Sequence, residues 1–262
     1  MAALEILQFP CWKDNYGVLI HDRQAGLTAS IDAPEEAAVR EALHEAGLML
    51  THIFTTHHHH DHVEGHKGLK RETGCTIYGP AGEASLIPAI DVTVKEGDRL
   101  PFGSFGVRVL ETPGHTRGAA TYFIPDAIAP GKGAVFTGDT LFSAGCGRLF
   151  EGTPAQMWHS LEKIAALPPS TLLYCGHEYT QSNIRFALSV APGNEALKRR
   201  KEEVDALRAQ DKPTLPVPLG TELETNPFLR VNSPEIRRNL GFGPDAAPEK
   251  VFEELRLRKD RF

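Results

Sequence analysis

The sequence predicts a layered α/β fold that is followed by a helical region. Up to about residue 178, short apolar runs typical of strands alternate with helical segments, as in layered α/β proteins. Beyond that point the strand candidates largely cease and helical spacing dominates. A cluster of histidines lies where one apolar run gives way to a helix, and the rest of the chain is interpreted around it.

The strand candidates are short apolar runs bounded by glycine, proline or charged residues. In chain order they are 4–9, 16–20, 28–31, 48–55, 76–78, 92–94, 98–100, 107–112, 119–124, 133–137 and 171–175.

The helix candidates have apolar residues at helical spacing, and most begin at a proline or a capping residue. The candidate at 154–167 has the clearest start, because Thr153 can cap it and Gln156 completes a capping box. Residues 211–227 contain several prolines and are predicted to form an extended connector. The other helix candidates are 34–45, a segment ending near 73, 183–190, a helix capped by Asn194, 233–240 and a last helix from Pro248.

Composition narrows the function classes. Apolar residues are 41% of the 262 residues, which is enough for a core, and the formal net charge of −6 argues against nucleic acid as a partner. No apolar stretch approaches the roughly 18 residues of a membrane span, and the start lacks the features of a signal peptide. The four cysteines (Cys11, Cys75, Cys146 and Cys175) have no pair spacing and are interpreted as reduced thiols. We therefore expect a cytoplasmic enzyme that does not bind membranes. A monomer is expected as well, although no sequence feature determines the oligomeric state.

The most informative stretch is 56–62, Thr-His-His-His-His-Asp-His, at the end of the fourth strand candidate. Side chains two apart on extended backbone point the same way. His57 and His59 are therefore predicted to converge on one point, while His58 and His60 point elsewhere. A terminal expression tag does not explain this run, because the run is internal.

Asp61 and His62 follow at the corner between strand and helix, and they are predicted to face a second point nearby. Asp61 has an alternative interpretation as a helix N-cap, with Glu64 completing a capping box. That alternative leaves the clustered imidazoles unexplained. Imidazole and carboxylate together suit zinc and its first-row neighbours.

Three later residues share one structural position. His115, Asp139 and His177 each lie just past the C-terminal end of a strand candidate and beside a glycine. Loops at one edge of a sheet bring such residues together, and glycine lets the backbone turn tightly beside a metal. Each residue alone is weak support, but their repetition after a metal motif predicts one shared site.

Longer motifs around these residues resemble those of the metallo-β-lactamase fold and, more narrowly, the glyoxalase II (hydroxyacylglutathione hydrolase) family. The broader likeness lies in 56–62, 112–116, 136–142 and 175–179. The narrower likeness lies in 14–16, 144–153, 226–230 and 259–262. The resemblance extends over essentially the whole chain.

The resemblance implies an αββα sandwich over 1–177 and a small helical glutathione-binding domain over 178–262. It also implies two divalent cations per chain, zinc in the first place, with iron and manganese compatible with the same ligands. The ligands it implies are His57, His59 and His115 for one cation, Asp61, His62 and His177 for the other, and Asp139 bridging both.

The activity implied is hydrolysis of S-D-lactoylglutathione to D-lactate and glutathione, the second step of methylglyoxal detoxification. Two divalent ions about 3.5–4 Å apart lower the pKa of a shared water toward neutrality. The resulting hydroxide is the nucleophile, and Asp61 or Asp139 orients it while ligating. No catalytic role is therefore expected for Cys146 or Cys175.

The basic end of the chain supplies the expected substrate contacts. Arg256 and Lys259 are three apart on one helix face and match tail positions that hold the glycine carboxylate of glutathione in the family. Arg148 and Tyr179 are expected to line the same groove, with main-chain amides near Gly147 holding the peptide. Phe150 stands where relatives often have tyrosine, so it lacks that hydroxyl.

Two other classes of function share some of these sequence features. A lactonase, a β-lactamase or a glutathione-dependent sulfur dioxygenase would share the fold, but the dioxygenase would keep fewer ligands and lack the helical tail. A structural zinc module would be closed, rich in cysteine and built around one ion. Seven histidine and aspartate candidates favour an open catalytic centre.

Overall fold

The structure is a computed structural model that describes residues 3–262. Two six-stranded sheets share an apolar core between their inner faces, with Val18 and Phe54 from one sheet packed against Tyr122 and Phe136 from the other. Helices cover the outer face of each sheet. This order of layers confirms the predicted αββα sandwich with helices at its C-terminal end.

The first sheet has the strand order β1-β2-β3-β4-β5-β6. Its strands are Glu5–Cys11 (β1), Asn15–Asp22 (β2), Leu27–Ile31 (β3), His52–Phe54 (β4), Thr76–Pro80 (β5) and Val92–Val94 (β6). The helices near it are Glu36–Ala46 (α1), His60–Val63 (α2) and His66–Thr73 (α3). β1 to β3 are antiparallel, whereas β3 to β6 are parallel. Val39 and Leu69 of α1 and α3 pack on its outer face.

The second sheet has the order β14-β13-β10-β9-β8-β7. Its strands are Arg99–Phe102 (β7), Phe105–Glu111 (β8), Ala120–Ala129 (β9), Lys132–Phe136 (β10), Leu172–Tyr174 (β13) and Val217–Pro218 (β14). A separate short hairpin joins Leu141–Phe142 (β11) to Gly145–Cys146 (β12). Only the pair β10–β13 is parallel within this sheet.

The remaining helices are Pro154–Ala165 (α4), Thr180–Val190 (α5), Glu195–Arg208 (α6), Leu219–Thr225 (α7), Pro234–Leu240 (α8) and Pro248–Arg261 (α9). The predicted capping box of α4 is present, with Thr153 and Gln156 exchanging hydrogen bonds. Trp158 of α4 and Phe252 of α9 belong to one core with Leu173 of the second sheet. The C-terminal helices therefore pack directly on the sandwich.

None of the helices among residues 3–262 has both the length and the apolar character needed to cross a membrane.

The ligand candidates lie at one edge because of strand direction. β9 is antiparallel to both β8 and β10, and β10 is parallel to β13, so β8, β10 and β13 run the same way. Their C-terminal ends lead into the loops that carry His115, Asp139 and His177. The loop after β4 joins this edge through a hydrogen bond of 2.8 Å from the Ala120 amide to the Thr56 carbonyl.

The structure differs from the predicted elements in several places. Residues 211–227 are not a plain connector, because they contain β14 and α7. Proline is tolerated on an edge strand and before a helix, and β14 is such a strand. The helix after the histidines is two helices, α2 and α3. β4 is shorter than 48–55, and α1 starts at Glu36 instead of Pro34.

Candidate metal centre

Five histidines and two aspartates meet at this edge of the sandwich. Their ligand atoms form overlapping groups whose members lie within 4.8 Å of one another: His57, His59 and His115; His57, His62 and Asp139; and Asp61, His62 and His177. The structure thus brings together all seven side chains that the sequence singled out.

The first group consists of three imidazoles. His59 Nδ1 lies 3.1 Å from His57 Nε2 and 3.0 Å from His115 Nε2. Burial lowers the pKa of all three rings, of His57 most strongly. The three ligand atoms are thus close enough to share one cation, to which each neutral imidazole can present a lone pair.

Asp61, His62 and His177 form the second group, which mixes imidazole and carboxylate. His177 Nε2 lies 3.4 Å from Asp61 Oδ2, and His62 Nε2 lies 3.9 Å from the same oxygen. Burial disfavours protonation of His177, but the carboxylates of Asp139 and Asp61 outweigh it and raise its pKa to about 10. The negative charge that attracts a proton here attracts a divalent cation equally well.

Asp139 lies between the two groups. Its Oδ1 is 3.4 Å from His62 Nε2, and its Oδ2 is 3.3 Å from His177 Nε2 and 3.5 Å from His115 Nε2. Burial raises the pKa of this carboxyl, but the neighbouring His177 and His62 bring it well below its usual value.

Two buried atoms at this point have no hydrogen-bond partner, namely His62 Nε2 and Asp139 Oδ1. Buried polar atoms are normally paired, and a cation between these two would satisfy both. A Cβ at Gly176 would lie 2.5 Å from Asp139 Oδ1 and 2.7 Å from His62 Cε1, so glycine keeps this space open. The residues present therefore fit a metal centre.

Asp32 orients one of the imidazoles from behind. This buried carboxylate accepts hydrogen bonds from His62 Nδ1 at 2.7 Å and from the Thr56 amide and hydroxyl at 2.6 and 2.8 Å. Because Nδ1 donates to Asp32, Nε2 of His62 faces the centre with its lone pair available. Such outer partners fix the tautomer and orientation of histidine ligands.

The turn between β1 and β2 holds the second group in the same way. Asp14 Oδ1 accepts from His177 Nδ1 at 3.0 Å, and Asn15 Nδ2 donates to the carbonyl and the Oδ2 of Asp61 at 3.2 and 3.1 Å. His115 Nδ1 donates to the Arg148 carbonyl at 2.9 Å. The two contacts to histidine leave the Nε2 atoms of His177 and His115 facing the centre, and the Asn15 contacts fix the orientation of the Asp61 carboxylate.

No sequence pattern predicts a role for Asp32, Asp14 or Asn15 as individual residues. Asp32 directly follows β3, and Asp139 likewise lies just past the end of β10. Asp32 has no glycine beside it, however, so it lacked half of the pattern that singled out Asp139. Residues 14–16 appeared only as part of a resemblance, because a turn sequence does not show which distant side chains it contacts.

The two remaining histidines of the motif point elsewhere, as predicted. His58 Nδ1 lies 2.8 Å from Glu83, and His60 is exposed and packs on Trp12. The N-cap interpretation of Asp61 is wrong. The N-cap of α2 is His59, and the Glu64 carboxylate accepts from the Glu36 amide instead.

A groove of about 430 Å³ adjoins the centre. Besides five of the ligand candidates it is lined by Phe142, Cys146, Arg148, Phe150, Tyr179, Ser182, Asn183, Arg256 and Lys259. The ring of Phe150 meets His59 and His115 edge-on at 5.6 and 5.3 Å. Tyr179 stacks on His177 at 4.7 Å.

The basic residues line the groove in different ways. Arg256 is buried, and its guanidinium donates to the Cys146 carbonyl at 2.7 Å and to Asp260 at 3.0 Å. Lys259 packs between the rings of Phe186 and Phe262. Arg148 is exposed, 3.9 Å from Asp260.

The amide of Gly147 does not support the role expected for it. It donates to the Thr140 carbonyl at 3.2 Å, so this N–H is already used within the protein. A Cβ at Gly147 would lie 2.0 Å from the Asp139 carbonyl oxygen. Glycine is required here because the main chain at residue 147 passes directly over the loop that carries Asp139.

Comparison with known proteins shows which families and solved structures share this architecture. Residues 25–177 match the family model described as metallo-beta-lactamase superfamily, and residues 178–262 match the one described as hydroxyacylglutathione hydrolase C-terminus. The solved structure of ETHE1 from Myxococcus xanthus is similar over 98% of both chains, with a TM-score of 0.65 and 26% identity. A di-iron-bound structure of TTHA1623 covers 85% of this chain and all of its own, with a TM-score of 0.61 and 23% identity.

The fold and the His/Asp centre define a metallo-β-lactamase superfamily protein. Among curated relatives, the hydroxyacylglutathione hydrolase of Brucella anthropi is 58% identical over 259 residues, which cover 99% of this chain and 97% of the relative. The chain therefore belongs to the hydroxyacylglutathione hydrolase (glyoxalase II) family.

Replacing Asp32 with asparagine is expected to weaken metal binding by about 10- to 100-fold, the usual cost of losing an outer partner of a histidine ligand. Competition with a chelator of known affinity measures this. Asp22→Asn is the matched control, because Asp22 is also a buried carboxylate that accepts backbone amides, those of Gln24, Ala25 and Ser104. Equal metal affinity in the two variants would contradict the role of Asp32.

Proposed function

We propose that this protein hydrolyses S-D-lactoylglutathione to D-lactate and glutathione, and that it does so with two divalent cations. The observation that carries the proposal is the convergence of seven His and Asp side chains beside a groove with basic residues. The family membership and a di-iron-bound structure of the same fold support it.

One cation would be held by His57, His59 and His115, the other by Asp61, His62 and His177, with Asp139 shared between them. When bound, a pair of such ions supplies a water of lowered pKa and a Lewis acid for the thioester carbonyl. We propose zinc as the metal, since imidazole and carboxylate suit it, although iron and manganese accept the same ligands.

Asp61 is the carboxylate best placed to orient the attacking water. About a third of its side chain is exposed to the groove, whereas the side chain of Asp139 is 9% exposed. The Asn15 amide fixes the orientation of the Asp61 carboxylate. Asp139 is buried between the two groups, which favours a bridging role.

A cysteine nucleophile is not part of this proposal. Cys146 lies in the groove, but burial raises the pKa of its thiol to about 11, so the thiol stays protonated at neutral pH. Burial also raises the pKa of Cys175, which belongs to the core.

We propose that the glutathione moiety lies along the groove toward α9. The Lys259 ammonium and the exposed Arg148 guanidinium are the groups with positive charge that can reach a carboxylate there. Arg256 holds the main chain at Cys146 and contributes positive charge from behind. Tyr179 provides an aromatic wall beside His177.

The cytoplasmic location and the monomeric state stay predictions. The four cysteines are buried and unpaired, which is compatible with a reducing compartment.

Incubation of the metal-loaded protein with S-D-lactoylglutathione is expected to release D-lactate and a free thiol. A chelator should abolish the reaction, and a divalent cation should restore it. Glutathione persulfide with oxygen, and separately a β-lactam, are tested as alternative substrates. An intact thioester together with oxidised persulfide would contradict the proposal and favour a dioxygenase.

The pH dependence of substrate binding tests Lys259. Burial lowers the pKa of its ammonium to about 8, so its charge is present at pH 7 and is lost as the pH rises through that value. We expect KM for S-D-lactoylglutathione to rise over this range. The resulting fall in kcat/KM reports the titration of Lys259 in the free enzyme. Lys259→Arg stays charged and should show a flat KM. The same rise in both proteins would exclude Lys259 as its source.

A further inference from the structure

A buried carboxylate outside the ligand set lies behind the three-histidine group. Glu83 closes a short 3₁₀ turn, Ala81–Glu83, after β5 and is 2% exposed. It is neither a ligand candidate nor a groove residue. A buried carboxylate is costly unless it accepts hydrogen bonds, so its partners indicate its role.

The two oxygens of Glu83 reach different segments of the chain. Oε2 accepts from the backbone amide and from Nδ1 of His58, each at 2.8 Å. Oε1 accepts from the Gly118 amide at 2.8 Å. A Cβ at Gly118 would lie 2.8 Å from Glu83 Cγ, so the loop approaches the carboxylate as closely as glycine allows.

Those two segments carry the ligand candidates of the first group. His58 lies between His57 and His59, and Gly118 belongs to the loop that carries His115. His59 Nδ1 and His115 Nε2 meet at 3.0 Å across the gap between these segments. Glu83 therefore joins the two halves of the three-histidine group from behind.

Glu151 joins the same two segments from the surface. Its carboxylate accepts from the Arg117 amide at 2.9 Å and lies 3.4 Å from His58 Nε2. His58, Glu83 and Glu151 are close enough to suggest a third cation site. The two carboxylates face opposite nitrogens of one ring, however, and both oxygens of Glu83 already accept N–H groups, so this arrangement is a connection between loops.

We propose that Glu83 is a positioning residue for the metal centre, which fixes the separation of His59 and His115 by holding both of their loops. This rests on the proposed metal-dependent function. Because Glu83 does not reach the groove, its loss should lower metal affinity and kcat while leaving KM close to that of the wild type.

Glu83→Gln is the sharpest substitution. Glutamine has nearly the same size, but it retains one acceptor oxygen and presents an NH₂ group to either His58 or Gly118, both of which donate. One of the two loops therefore loses its connection, with no cavity introduced.

The test compares Glu83→Gln with Asp22→Asn in chelator competition, in the visible spectrum of the cobalt-loaded protein and in steady-state kinetics. Asp22 is buried, and it also joins two loops through backbone amides. Asp22 pairs with Leu27 at the start of β3, whereas the metal centre lies beyond the other end of that strand. Its loss should therefore affect stability alone.

For Glu83→Gln we expect metal affinity and kcat to fall about 10- to 100-fold, with an altered cobalt spectrum. Wild-type metal affinity and spectrum in this variant would overturn the proposal, whatever the substrate proves to be. If Glu83→Gln does not fold, Glu151→Gln tests the same connection from the surface. A smaller loss of metal affinity in Glu151→Gln supports the proposal, and an unchanged metal affinity contradicts it. If the wild-type protein lacked thioesterase activity, the proposed function would be wrong. The metal-affinity and spectral measurements would still test the role of Glu83.

Discussion

The metal centre depends on the histidine nitrogens and carboxylates that lie close together around Asp139. Nitrogens of His62, His115 and His177 lie 3.3–3.5 Å from its two oxygens in a buried place. Without positive charge among them, these atoms would be desolvated acceptors facing one another, which is unfavourable. Divalent cations resolve the conflict. Folding into this sandwich and binding metal are therefore energetically linked.

A second layer of contacts makes the arrangement specific. Asp32, Asp14 and the Arg148 carbonyl each accept the Nδ1 hydrogen of a different histidine, so the inward nitrogens keep their lone pairs. These partners come from the residue after β3, from the β1–β2 turn and from the loop after β12. The histidine ligand candidates are consequently oriented by segments of the first sheet and by the loop that follows the small β11–β12 hairpin.

The C-terminal helices pack on the same sandwich that carries the metal centre. Phe252 of α9 shares a core with Trp158 and Leu173 of the sandwich, and Arg256 of α9 holds the Cys146 carbonyl. The groove beside the metal centre is thereby formed between the two family-matched segments, 25–177 and 178–262. Arg256 and Lys259 of α9 line one part of it, and the ligand candidates at the strand ends line the other.

Much of the site was predictable because its residues follow local rules. The histidine motif is contiguous, and His115, Asp139 and His177 each follow a strand beside a glycine. The contacts of Asp14 and Glu83 were not predictable, since each joins segments far apart in the chain. Helical spacing placed Arg256 and Lys259 on one face, and both line the groove. Spacing could not show that the Arg256 guanidinium is occupied by a carbonyl and Asp260. The prolines of 211–227 suggested a connector, yet an edge strand accommodates them.

The most direct test of the metal centre is the number of divalent cations bound per chain in fully active protein, measured by elemental analysis after removal of loosely bound ions. The account predicts two, with thioesterase activity lost and regained as both sites are emptied and refilled. Full activity with one cation or none per chain would contradict it.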